Sequence, residues 1–144
     1  MYEITYYSIA KSGISTKEIN DILISSRDFN SKYSITGCLL YHHDQFIQVL
    51  EGDKDVISKL LSKISNDKRH SEIIVLAEGE KEERTFHSWT MAYRELNDSD
   101  IKDIGDSLFI NNFLTFSSLV EKPTHTIKKF WAKAQQLLTD NFTS

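Results

Sequence analysis

Cysteine is nearly missing from this chain: Cys38 stands alone among 144 residues. No intrachain disulfide can form, and neither a two-cysteine zinc motif nor a CxxC redox pair is available. That composition suits a reducing cytoplasm. Proline is equally scarce, with Pro123 alone, and glycine numbers five. With no low-complexity tract or internal repeat, a disordered chain and a solenoid are both disfavoured. Nowhere does an apolar run approach the roughly 18 residues that a membrane span needs. The amino-terminal MYEITYYSIAKSG also lacks the basic region and apolar run of a signal peptide. The expectation is a soluble cytoplasmic protein with no membrane contact. No block of five or six basic residues occurs either; 17 Lys and Arg are outnumbered by 21 Asp and Glu, for a net charge of -4, so nucleic acid is a poor partner. GxSxG, the P-loop and GxGxxG are absent too, which removes support for hydrolase, kinase and dinucleotide-oxidoreductase readings.

What is present reads as an alternation of strands and helices. YEITYYSI at 2–9 is rich in aromatic and β-branched residues and ends at the turn signal KSG, so it reads as a strand with Tyr2, Ile4, Tyr6 and Ser8 on one face. Ser15 with Glu18 three residues on has the form of a capping box, followed by Ile19, Ile22, Leu23 and Ser26 at helical spacing. At about 100° per residue, Asn30 returns to the buried stripe of that helix. The apolar runs 35–41 and 46–50, separated by His42 to Gln45, predict a hairpin. Asp53 predicts a cap for a helix with Val56, Leu60, Leu61 and Ile64 as its stripe. IIVLAEG at 73–79 reads as a fourth strand and SWTMAYREL at 88–96 as a fifth. The order β-α-β-β-α-β-β predicts a ferredoxin-like α+β fold, a mixed sheet with two helices on one face. After Asn97 come apolar clusters at Ile101, Ile104, Leu108, Phe109, Phe113 and Phe116. Pro123 then opens a last helix bearing Ile127, Phe130, Trp131, Ala134, Leu137 and Leu138. So apolar a tail must cover the free sheet face or another subunit, which makes a homo-oligomer an expectation.

The candidate chemistry lies on the predicted inner face. In QFIQVLEGD, residues 45–53, alternation puts Phe46, Gln48 and Leu50 on one face and Ile47 and Val49 on the other, so both faces look buried. An amide placed there without partners costs roughly 2 to 7 kcal/mol. Taken singly, Gln48, Tyr6 and Asn30 read as a satisfied core amide, a core tyrosine and a helix cap. Together, from three neighbouring elements, they converge on one layer and call for a common polar object. A slot lined by Ile22 and Ile64 and tipped by neutral amides suits a flat heteroaromatic ligand with carbonyl and imide edges. Arg69 and His70, beyond the second helix, are candidates to meet a phosphate at its rim. His42 and His43 are adjacent in a turn where alternation aims the rings apart, so no metal site is expected. Cys38, within an apolar run, reads as a packed small residue.

TYYSIA at 5–10, DFNSKYSITGCLLY at 28–41, FIQVLEGD at 46–53, NDKRHSEI at 66–73 and RTFHSWTM at 84–91 together resemble the BLUF family, blue-light sensors using flavin. The resemblance covers about the first 96 residues and implies a photosensory domain over 1–96, with 97–144 as a helical extension. It implies that Tyr6 donates an electron to the excited flavin and that Gln48 lies between that hydroxyl and the ring. Asn30 would hold the C4 carbonyl and N3 edge, Ile22 and Ile64 would sandwich the isoalloxazine, and Arg69 and His70 would lie near the ribityl phosphate. Trp89 and Met91 match the pair linked to output. The implied cofactor is FAD, with FMN the alternative, and the implied partner is a downstream regulatory protein bound in a light-dependent manner. Nothing in the chain resembles an attached cyclase or phosphodiesterase, so a non-enzymatic regulator is expected. The rival readings are a flavin-dependent or acyl-phosphate enzyme on the same scaffold, and a ligand-free oligomerisation module.

Overall fold

The computed structural model of the chain describes residues 1–86, 90–95 and 124–143. Its elements are β1 (Tyr2–Ala10), α1 (Thr16–Tyr33), β2 (Thr36–His42), β3 (Gln45–Gly52), α2 (Lys54–Ser65), β4 (His70–Glu80), β5 (Ala92–Glu95) and α3 (His125–Thr143). The five strands form one sheet in the order β4-β1-β3-β2-β5. Neighbours are antiparallel except β2 and β5, which run parallel. This is the ferredoxin-like mixed sheet that the element order predicts. Trp89, the clusters from Ile101 to Phe116, Pro123 and the side chain of Leu138 lie outside the described residues.

Local chemistry sets the boundaries. The Ser15 hydroxyl accepts from the Glu18 N–H while the Glu18 carboxylate accepts from the Ser15 N–H, which completes the capping box at the start of α1. The helix ends at Ser34, whose left-handed φ of 58° turns its N–H back to the Asn30 carbonyl. Asp53 caps α2 by accepting from the N–H groups of Asp55 and Val56. The hairpin is tighter than its four polar residues suggest. His42 pairs with Gln45, and the two-residue turn His43-Asp44 has positive φ at both positions, 43° and 64°. That geometry matches the right-handed twist of the strands. It also breaks strand alternation at His43, and so corrects the expectation that the two imidazoles point apart: their centroids lie 4.2 Å apart, edge to face.

Two apolar layers flank the sheet. One joins Ile4, Tyr6, Leu39, Phe46 and Leu50 of the strands to Ile19, Ile22 and Leu23 of α1 and to Ile57 and Leu60 of α2. Ile57 belongs to this core although the predicted stripe passed over it; Val56, Leu61 and Ile64 pack at the margin. The second layer lies on the opposite face, where Leu40, Ile47 and Val49 meet Phe86 and the Ile127, Phe130, Ala134 and Leu137 stripe of α3. Each buried Val, Leu, Ile or Phe side chain among them contributes roughly 1.5 to 3 kcal/mol. α3 thus covers the sheet face that α1 and α2 leave open, and β3, buried on both faces, runs through the middle.

Candidate functional site

Register brings the predicted residues together. Tyr6 and Gln48 are cross-strand partners in the β1–β3 ladder, and Leu39 is the partner of Gln48 on the other side. Residues directly opposite share a face, so the Tyr6 ring and the Gln48 amide meet between sheet and helices. The Tyr6 hydroxyl donates to Gln48 Oε1. Gln48 Nε2 in turn donates to Met91 Sδ at 3.4 Å, a weak acceptor. Tyr7, one residue on, faces away and lies under the Lys133 ammonium of α3, 4.2 Å from the ring centroid. Alternation therefore makes Tyr6 the inward tyrosine.

Asn30 reaches the site from the last turn of α1. It is 1 % exposed; its Nδ2 donates to the Thr90 carbonyl at 2.6 Å, while its Oδ1 is buried with no partner. The side chain therefore binds across the site instead of capping its helix. Arg27, one turn earlier, donates from Nε to the Met91 carbonyl at 3.2 Å. Two α1 side chains thus hold residues 90 and 91, and Arg27 and Thr90 were not singled out from the sequence. The i, i+3 spacing of Arg27 and Asn30 on one helix face is the signal that points to Arg27; no local pattern points to Thr90.

An open cleft lies between α1, α2 and the strands, with about 550 Å³ of atom-free space, part of it continuous with solvent. Tyr6 and Gln48 lie at its inner end, Ile22 and Ile64 line its walls, and Arg69 and His70 also border it. Arg69 makes a bidentate pair with Asp67 through Nε and Nη2, the latter at 2.6 Å. That bond holds the Asp67 carboxyl below its ordinary range and raises the guanidinium. Asp67 is a further residue the sequence reading passed over. His70 lies deeper than a rim position: it opens β4, so its ring turns onto the inner face. There Nδ1 is 2.9 Å from the Ser8 hydroxyl, and the ring packs against Phe46. Burial, more than the opposing Asp67 charge, pushes its pKa down, so at neutral pH the imidazole is uncharged. Burial likewise raises the Tyr6 phenol well above its ordinary 10.0, which keeps the hydroxyl a donor. Among the described residues no cluster of His, Cys, Asp and Glu could hold a metal, and no helix is long and apolar enough to cross a membrane.

The inner end of the cleft is uncharged, with one donor chain from Tyr6 to Gln48 and on to Met91, while Lys63, Asp67 and Arg69 bring charge to its border. Asn30 Oδ1, outside the residues that line the cleft, is buried and in want of a donor. Leaving such a group unpaired costs about 1 to 3 kcal/mol. An imide N–H is the kind of donor that such an acceptor takes, and Ile22 and Ile64 line the walls of the cleft. Comparison with known proteins agrees. The family model described as BLUF, sensors of blue-light using FAD, matches residues 1–92. The photoactivated adenylate cyclase subunit beta of Euglena longa is 35% identical over 89 residues, 61% of this chain and 10% of that protein. The corresponding subunit of Euglena gracilis is 34% identical over the same length, so the chain spans about a tenth of these curated relatives. Among solved structures, BlsA in its photo-activated state superposes with a TM-score of 0.67 at 31% identity, covering 95% of this chain and 94% of BlsA. The dark-state structure of BlrB, a BLUF protein, gives 0.65 at 29%, over 74% and 80%. The site and fold define a flavin-binding light sensor. The chain belongs to the BLUF family, and its domain senses blue light without itself being catalytic.

Proposed function

We propose that Tyr6, Gln48 and Asn30 are the light-responsive centre of this sensor, and that the observation carrying the reading is the continuous chain from the Tyr6 hydroxyl through Gln48 to Met91. A bound flavin supplies the ring that absorbs blue light and, once excited, accepts an electron. Tyr6 is the phenol placed to give up that electron, and its proton has an acceptor ready in Gln48 Oε1. With electron and proton back on Tyr6, the Gln48 amide would be left rotated or tautomerised. Rotation would take Nε2 away from Met91 and Oε1 away from the Tyr6 hydroxyl, so both bonds would be exchanged. Asn30 would hold the polar edge of the ring, Ile22 and Ile64 would clasp its faces, and His70 and Arg69 would flank the side chain that leads out of the cleft. Met91, with Trp89 beside it in the sequence, passes the change on to β5.

The proposed flavin is FAD, in keeping with the family description; Arg69 uses Nε and Nη2 on Asp67, so a phosphate at this rim meets a guanidinium already half engaged. FMN is the competing outcome, and chromatography of the flavin released from purified protein separates the two. The signal is a light-dependent affinity for a downstream regulatory protein, a reading supported by relatives whose names join light to a cyclase. We place the protein in the cytoplasm on the strength of its lone cysteine, and we take residues 1–96 as the sensor and 97–144 as its extension. Assembly into a homo-oligomer would have to use surfaces other than the α3 stripe, which is buried on the sheet. One absorption spectrum before and after blue light tests the proposal: yellow protein whose bands shift to the red and recover in darkness supports it. Flavin turnover in the dark, or colourless protein, contradicts it.

A further inference from the structure

Residues 81–86 and 90–91 meet β3 from opposite faces. On the cleft face, Met91 takes the weak bond from Gln48. On the α3 face, three residues further along the same strand, Glu51 is fully buried. Its Oε1 accepts from the Phe86 N–H at 2.7 Å and from the Thr36 hydroxyl at 2.7 Å. Its Oε2 accepts from the Thr85 N–H at 2.8 Å and pairs with the Lys81 ammonium, whose Nζ also lies 2.7 Å from the buried carboxylate of Glu3. So held, Phe86 inserts into the core beside Ile127 and Phe130 of α3.

The two attachments are unequal. Hydrogen bonds to an ionised carboxylate are roughly twice as strong as neutral ones, and here four donors share one buried group. From β3, residues 90 and 91 receive only the single Gln48 bond to a thioether, a weak acceptor, their other holds being the Arg27 and Asn30 bonds from α1 to the Met91 and Thr90 carbonyls. A rearrangement of the Gln48 amide therefore acts on the weak end first, while residues 85 and 86 stay fixed.

We infer that Glu51 is a positioning residue for light signalling: its carboxylate anchors Thr85 and Phe86, keeps α3 undisturbed, and confines the light-driven change to residues 90–95 and so to β5 at the sheet edge. The inference rests on the photoreceptor reading. A group that only stabilised the fold would act alike in dark and light; an anchor changes where the light response appears. Hydrogen exchange of the flavin-loaded full chain, followed by mass spectrometry in darkness and under continuous blue light, distinguishes these roles. For the wild type, light should change exchange over 90–95 and leave 83–86 and 125–137 as in the dark. In Glu51→Gln the red-shifted state should still form, but the light-induced change should spread to 83–86 and 125–137 with a severalfold rise in exchange. A wild-type response as large at 83–86 and 125–137 as at 90–95 overturns the anchor, and so does a Glu51→Gln response confined as in the wild type. Should Glu51→Gln fail to fold, the wild-type comparison alone decides. Absence of any red-shifted state in flavin-loaded wild type overturns the photoreceptor reading, and the anchor with it.

Discussion

Gln48 is one residue with two polar ends, and each end has a different partner. Oε1 accepts from a phenol that burial keeps protonated, and Nε2 donates to a sulphur that holds it weakly. Such an amide can exchange its ends by rotation, which an aliphatic or charged side chain cannot do. The same reasoning separates the two adjacent tyrosines. Tyr6→Phe removes the donor while keeping the ring's volume, so flavin should be retained and the light response lost; Tyr7→Phe, on the α3 face, should leave the response intact. Flavin absorbance and a light-minus-dark spectrum of each variant check this, and the opposite pattern would place the donor on the wrong side of the sheet. Asn30→Ala should weaken flavin binding by about fivefold, since losing one hydrogen bond to a neutral partner is worth roughly 1 kcal/mol; fluorescence titration measures it. Much of this was legible in the sequence, because strand alternation and the 100° helical step are enough to aim Tyr6, Gln48 and Asn30 inward. The partners were not. No local pattern says that Asn30 bonds to Thr90 or that Arg69 is bound to Asp67, since such bonds depend on how distant segments cross.

At the scale of elements, β2 and β3 are held closer than side chains permit. A Cβ added at Gly37 would lie 2.1 Å from the Val49 carbonyl oxygen, a backbone atom that cannot swing away. Gly37→Ala should therefore destabilise the fold by at least the ~1 to 3 kcal/mol typical of overpacking, seen as a lower urea midpoint. α2 shows the limit of reading a helix from its spacing. The apolar positions 56, 57, 60, 61 and 64 make a stripe too wide to say which side faces the sheet, and packing puts Ile57 at its centre, 1 % exposed. Ile57→Ala should cost about 2 to 5 kcal/mol, and Leu61→Ala at the margin distinctly less. The hairpin taught a similar lesson: polar composition marked the turn, but the positive φ at His43 and Asp44 decided where the histidines point.

For the whole molecule, the sheet separates two environments. One face carries the cleft, uncharged around Tyr6 and Gln48 and bordered by Lys63, Asp67 and Arg69. The other carries α3 and, towards one end, the buried Glu3, Lys81 and Glu51 charges, where removing Lys81 would strand two carboxylates. On the cleft face, His70 makes stability depend on pH. Its folded pKa lies below the ordinary 6.5, so the unfolded chain binds more protons as pH falls. The stability it contributes is complete above about 6.5 and is lost as pH falls from there towards the folded value. Urea unfolding at pH 7.5 and about 5.5 should show wild type losing more stability between the two than His70→Gln does. Asp67, with its pKa held down by Arg69, adds a second loss only at more acidic pH, as the solution falls through its folded value. The fold class and the layer between sheet and helices were readable from the element order. That α3 closes the opposite face was one of two alternatives until the Ile127, Phe130, Ala134 and Leu137 stripe was seen against Leu40, Ile47 and Val49.

The central claim is that the Gln48 amide is the moving part of a light sensor, and a light-minus-dark absorption spectrum of flavin-loaded Gln48→Leu beside wild type tests it most directly. Wild type should give a reversible red shift and Gln48→Leu none, with flavin still bound. A normal red shift in Gln48→Leu would contradict the account.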